Sequence, residues 1–229
     1  MRVLGIETSS LRGTIALVED GRAVVTRTSA EPMQGERVLP LLDELFSSAG
    51  WPKTSLDRVA TGIGPGSFTG VRVGVALGLG IGIGLGRPVL GVGSLRAMCR
   101  GVSVSSRTRP ALRCALLDAR RDELFAGVYG PEGEELIPPQ TVPRAELEAW
   151  LDAMATRPEI IVGEVLAALP SSLAGFRSEM TDLPHAVCVA LAGSELSEAL
   201  APAEPAYVRP ADAIRPNLPR SPLSSEEPQ

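Results

Sequence analysis

Glycine recurs every four residues through one long apolar stretch, at Gly66, Gly70, Gly74, Gly78, Gly82 and Gly86. The apolar run from Phe68 to Leu85 is longer than a typical strand and suits a helix. Each interior glycine costs a helix about 1 kcal/mol relative to alanine, so something must offset several of them. Residues four apart share one helix face. Bare α-carbons there form a groove that admits a close neighbour, either within the same lobe or on a second subunit.

The helix follows a turn, Gly62-Ile63-Gly64-Pro65-Gly66-Ser67. Such a turn offers backbone N–H groups to an anion at the helix N-terminus. It is not the dinucleotide fingerprint, because Ser67 and Thr69 stand where its third glycine would fall. A tight strand-to-helix turn with Ser67 as N-cap explains it and is the favoured reading on physics alone. Both readings stay open from the residues alone.

Around this element the pattern is α/β. Arg2 to Ile6, Thr14 to Val18 and Ala23 to Thr28 read as strands, the last two joined at the hairpin dipeptide Asp20-Gly21. Apolar spacing predicts a helix over Glu36–Ser48, and Asp57–Gly62 and Pro88–Val92 read as strands. The second half repeats the order more faintly. Leu112–Leu117 and Glu123–Tyr129 are paired strands, Pro143–Met154 a helix, Ile160–Gly163 a strand and Ala186–Leu200 a helix. Two mixed sheets flanked by helices imply two similar lobes. The expected division is 1–100, joined by part of the C-terminal segment, then 101–210, with Gly101–Pro110 as hinge. A proline-rich tail, 211–229, is expected to be largely disordered.

Composition removes several functions. Twenty-two Lys and Arg against 27 Asp and Glu leave a net charge of −5, contrary to the basic face of a free-standing nucleic-acid binder. Lys53 is the only lysine and has no glycine before it, so a P-loop is absent. Cys99, Cys114 and Cys188 lie far apart without a CxxC pair, which suits a reducing compartment. His185 is the single histidine, so two-His metal sites cannot be built, and it is read as structural. No catalytic or metal-ligating set emerges. The opening MRVLGIETSS lacks a signal-peptide pattern, and the uncharged run Val73–Gly86 is shorter than the roughly 20 residues of a bilayer span. Neither export nor a membrane segment is expected. Asp118, Arg120, Arg121 and Asp122 read as turn residues and ion pairs that could alternatively meet a phosphate, and Glu132, Glu134 and Glu135 as a solvated hairpin loop.

Several motifs carry a resemblance. Ile6-Glu7-Thr8-Ser9, the Gly64-Pro65-Gly66-Ser67-Phe68-Thr69-Gly70-Val71-Arg72-Val73-Gly74 run and Val92-Gly93-Ser94-Leu95 resemble the TsaB family of bacterial tRNA threonylcarbamoyladenosine biosynthesis. Leu117-Asp118-Ala119-Arg120-Arg121-Asp122-Glu123-Leu124-Phe125 is similar to its second-lobe hairpin, and Pro205-Ala206-Tyr207-Val208-Arg209 to its closing motif. The likeness runs over about residues 1–210.

The resemblance implies a two-lobe actin/Hsp70/sugar-kinase-like (ribonuclease H-like) fold. It implies a non-catalytic scaffold or activator in the cytoplasm, pairing with a TsaD-type catalytic subunit and served by a TsaE-type ATPase. Transfer RNA would be met indirectly through the complex, a homodimer could form when the chain is alone, and ATP or ADP could sit only at the complex interface. Thr8, Ser9, Gly64, Gly66 and Ser67 become candidate phosphate-contacting turns. The resemblance also tips the glycine ridge toward the subunit interface, as Val71, Gly74, Val75, Gly78, Leu79 and Gly82. Two positions depart from the family pattern: Glu7 replaces the usual Asp, and Gln34 stands where His is common. The alternative is a small ATP-binding phosphotransferase of the same fold.

Overall fold

A computed structural model describes residues 1–10, 13–29, 35–105, 111–163, 185–197 and 201–209. The first sheet contains β1 (Arg2–Glu7), β2 (Thr14–Glu19), β3 (Arg22–Thr28), β4 (Arg58–Gly62) and β5 (Val89–Val92), in the order β3-β2-β1-β4-β5. The β1–β2–β3 meander is antiparallel, whereas β4 and β5 run parallel to β1. Asp20 and Gly21 both take positive φ at the β2–β3 turn, the conformation that the Asp-Gly pair favours.

The second sheet contains β6 (Arg113–Arg120), β7 (Glu123–Tyr129), β8 (Glu135–Pro143) and β9 (Ile160–Gly163), in the order β8-β7-β6-β9. An antiparallel meander followed by a parallel fourth strand repeats the first sheet's opening pattern. The duplicated sheets expected from the sequence are present.

Helices complete the layers: α1 (Gly35–Ala49), α2 (Phe68–Leu85), α3 (Ser94–Ser105), α4 (Leu147–Asp152) and α5 (Ala186–Glu195). On one face of the first sheet, Val38, Leu42, Leu45 and Phe46 of α1 pack with Leu4, Ile6, Ile15, Leu17 and Val59. On the other face, Val189 to Ala192 of α5 pack with Val3, Val18, Ala60 and Val92. Leu95, Met98, Cys99 and Val102 of α3 cover the second sheet beside Ala115, Leu117, Phe125 and Val162, while Leu147 and Leu151 of α4 close its other face.

Three boundaries differ from the sequence reading. The hinge expected at Gly101–Pro110 begins as helix, since α3 continues to Ser105, and residues 106–110 lie outside the described set. The second lobe does not extend through 101–210 as one run. Near-complete burial of α5 against the first sheet returns the chain to the first lobe. The segment expected as the Pro143–Met154 helix is a 3₁₀ turn at Arg144–Glu146 followed by the short α4. Gln34 and the tail from Pro210 lie outside the described residues.

Candidate functional site

The two glycine- and hydroxyl-rich turns meet at the carboxyl ends of β1 and β4. Thr8 and Ser9 follow β1 and are both 3% exposed. Thr8 Oγ1 donates to the Gly70 carbonyl at 2.7 Å, and the Ser67 N–H donates to the Ser9 carbonyl at 2.7 Å. Ser67 caps α2, its Oγ accepting from the Gly70 N–H at 3.3 Å. The glycines permit this approach: a β-carbon on Gly66 would fall 2.5 Å from the Ser9 carbonyl oxygen, and one on Gly70 2.0 Å from that of Thr8. The candidate turns are thus together, joined by the Thr8 side chain and by the Ser67–Ser9 backbone bond.

Glu7 is fully buried beneath them. Its Oε1 accepts from the Ser9 N–H at 2.7 Å and its Oε2 from Ser94 Oγ at 3.0 Å, while Ser9 Oγ and Ser94 Oγ lie 3.1 Å apart. Burial raises its carboxyl above the ordinary value, opposed by these hydrogen bonds. A β-carbon on Gly62 would lie 2.3 Å from Glu7 Oε2, so the carboxylate faces protein on that side.

A C-terminal strap, residues 201–209, crosses the same region. The Gly91 N–H donates to Ala201 O at 2.9 Å and the Ala206 N–H to Ile63 O at 2.8 Å. Beyond Tyr207 the strap reaches the second lobe. Val208 packs on the cluster around α3, Arg209 Nη1 donates to Ala119 O at 3.2 Å, and Arg209 pairs with Glu123. Nucleotide-binding members of such folds need free donors at these turns. Here Thr8, Ser9 and Ser67 bond internally, Glu7 is enclosed, and Ala206 lies against Ile63 and Gly64. Among the described residues no group of three His, Cys, Asp or Glu side chains could hold a metal.

The second-lobe hairpin turn is Arg120, Arg121 and Asp122, all with positive φ, a conformation that costs non-glycine residues energy. Asp118 and Asp122 both face Arg144, at 3.6 and 3.5 Å. These contacts match the reading of turn residues and ion pairs. His185 is structural, its Nδ1 accepting the Val187 N–H at 3.1 Å as the N-cap of α5.

The glycine ridge requires a correction. A β-carbon on Gly74 would meet Thr8 Oγ1 at 2.3 Å, on Gly78 Thr61 Cβ at 3.2 Å, and on Gly82 Val89 Cγ2 at 2.1 Å. The groove therefore receives the chain's own first sheet. Val71 and Val75 are buried on the same side. Of the six residues expected at a subunit contact, only Leu79 lies on the open face. That face holds Arg72, Ala76, Leu79, Gly80, Ile83 and Gly84.

This open face is what the sequence reading missed. Ile83 is 81% exposed and Leu39, on neighbouring α1, 60%. Between the helices lies an apolar groove of about 240 Å³ lined by Leu39, Leu42, Phe46, Ile81 and Leu85, with the ion-paired Asp43 and Lys53 beside it. By length and hydropathy α2 could cross a membrane, with 28% of its span buried. Its glycine face nevertheless sits on β4 and β5 of its own sheet, as a packing helix does.

Comparison with known proteins agrees with this geometry. The family model described as TsaD, tRNA N6-adenosine threonylcarbamoyltransferase, matches residues 28–207. The tRNA threonylcarbamoyladenosine biosynthesis protein TsaB of Escherichia coli is 30% identical over 151 residues, covering 62% of this chain and 64% of that protein. The chain belongs to the TsaD family, as a TsaB-type member. The TsaB of Bacillus subtilis is 28% identical over 169 residues, covering 71% of each chain. A solved Pseudomonas aeruginosa protein similar to the peptidase YeaZ superposes with a TM-score of 0.70 at 27% identity, covering 91% of this chain and 99% of that one. The ROK hexokinase of Thermus thermophilus, at 13% identity and a TM-score of 0.51, covers 84% of this chain and 98% of its own, and shares the fold alone. The TsaB-type chain thus has the two-lobe α/β, actin/sugar-kinase-like fold. The alignment spans slightly less than two thirds of its E. coli relative.

Proposed function

We propose that this TsaB-type chain is a non-catalytic scaffold or activator of tRNA threonylcarbamoyladenosine biosynthesis in the cytoplasm. Its partner is a TsaD-type catalytic subunit, and the product is modification of the adenosine next to the anticodon. The observation that carries this reading is the exposed apolar face of α2 beside the α1 groove, on a chain whose phosphate-type turns are closed by its own hydrogen bonds. Exposed apolar surface of this kind marks a docking surface. The TsaD family model matches most of this chain, so the catalytic subunit offers a related fold to pair with.

The chain acts as partner and not as catalyst. It takes no cofactor of its own, and ATP or ADP belongs at the junction with the catalytic subunit. A TsaE-type ATPase joins the pair, tRNA is met through the complex, and alone the chain self-associates. Size-exclusion chromatography of the chain with the TsaD-type subunit of the same genome tests the reading. Co-elution is expected, without ATP hydrolysis by the chain alone. Separate elution at micromolar concentrations, or robust turnover by the chain alone, contradicts it.

A further inference from the structure

Helix α2 carries a single charge in 18 residues, Arg72. The side chain is exposed on the open face, four, seven and eleven positions before Ala76, Leu79 and Ile83. Residues at that spacing line one side of a helix. Arg72 therefore stands at the N-terminal end of the apolar docking stripe.

The guanidinium is held in place. Its Cζ lies 3.7 Å from the Phe68 ring centroid, and its Nε donates to Tyr207 Oη at 2.8 Å. Phe68 and Tyr207 stack on each other with centroids 5.0 Å apart. They remain 37% and 46% exposed, although aromatic residues make up only 3% of the chain. Exposed aromatics with an arginine are the usual composition of an interface anchor. Among the described residues Arg72 has no carboxylate partner. Other arginines do: Arg2 pairs with Glu19, Arg27 with Glu44 and Arg100 with Glu195.

We propose that Arg72, oriented by Phe68 and Tyr207, receives a carboxylate of the docked catalytic subunit and is the polar anchor of that interface. This rests on the partnership proposed above. With Nε bonded to Tyr207, the edge formed by the two terminal nitrogens, which grips a carboxylate bidentately, has no partner among the described residues. An apolar stripe gives adhesion with little orientation, whereas one charge pair at its end fixes which way the partner helix lies. A phosphate is the weaker candidate. The position belongs to an otherwise uncharged helix face, and phosphate surfaces recruit several cations.

The test titrates the TsaD-type subunit into the full chain by calorimetry, at about 50 and 300 mM salt, which spans strong and weak screening. Arg72→Gln should keep its thermal midpoint, bind at least about 10-fold more weakly and lose most of the salt dependence. Arg72→Glu should be about 10-fold weaker again, through repulsion of the partner's acid, and Arg72→Lys should restore only part of the loss. Ile83→Asp reports the apolar face separately. If wild type binds, I83D fails and R72Q matches wild type, the anchor is refuted while the partnership stands. If wild type itself does not bind, the partnership fails and the anchor with it. If R72Q keeps subunit affinity while the complex loses tRNA or ATP binding, Arg72 serves a phosphate and the proposal is overturned.

Discussion

Gly82 rests on Val89 so closely that a β-carbon would lie 2.1 Å from Val89 Cγ2. The contact assigns the glycine ridge to the first lobe's interior. Gly78→Leu and Gly82→Leu should therefore destabilise the fold itself, by about 3 kcal/mol or more, since overpacking against a sheet cannot relax cheaply. Thermal melts read the loss. Native midpoints for both variants would mean that the ridge is free, as the sequence reading had placed it.

The outer glycines should behave oppositely. Nothing lies within 4 Å of a β-carbon placed on Gly80 or Gly84, and both sit inside α2. Alanine at each should stabilise the isolated chain by about 0.5–1 kcal/mol through helix propensity and reduced unfolded-state entropy. Chemical denaturation of G80A and G84A measures it, and a loss of stability would argue against the orientation of α2.

Glu7 should make stability depend on pH in an unusual direction. Burial raises its folded carboxyl above the ordinary 4.5. The folded state then holds its proton more tightly than the unfolded chain, so its contribution is present below pH 4.5 and is lost as pH rises through the folded value. Glu7→Gln should flatten the midpoint between pH 4.5 and neutrality. Parallel curves for variant and wild type would show that the carboxyl is not desolvated.

His185 gives the opposite sign. Burial lowers its folded pKa below 6.5, so its contribution is present above pH 6.5 and lost as pH falls through the folded value. Protonating Nδ1 also removes the acceptor for the Val187 N–H. His185→Ala should cost about 1 kcal/mol near pH 8, with a smaller penalty in acid, and His185→Asn should retain most of the cap. Equal penalties at both pH values would count against the capping role.

The succession of strands along the first half of the chain and the helical character of Phe68–Leu85 were legible because periodicity, Asp20-Gly21 and the Gly64–Gly74 motif encode them locally. Which face of α2 meets the sheet was not, since the helix is apolar all round and glycine carries no hydropathy signal. The burial of Glu7 was hidden for a related reason: a carboxylate at a strand end looks the same whether it faces solvent or Ser9 and Ser94. The second sheet's β8 was also obscured. Pro138, Pro139 and Pro143 argue against a central strand, yet an edge strand tolerates proline, and β8 lies at the edge of its sheet. Glu135 thus opens a strand, although it is exposed as the loop reading required. Helix α5 begins at Ala186 as read but ends at Glu195 rather than Leu200, and no amphipathic period marked that end because the helix is buried nearly all round.

The most direct test of the account is the rate of tRNA threonylcarbamoylation by the purified TsaD-type subunit, given a threonylcarbamoyl donor, with no added chain, with wild-type chain and with Ile83→Asp. Modification is expected only with wild type, and I83D, native by circular dichroism, should leave the rate at the level of the catalytic subunit alone. Full modification without the chain, or unchanged stimulation by I83D, would contradict a scaffold that works through the exposed face of α2.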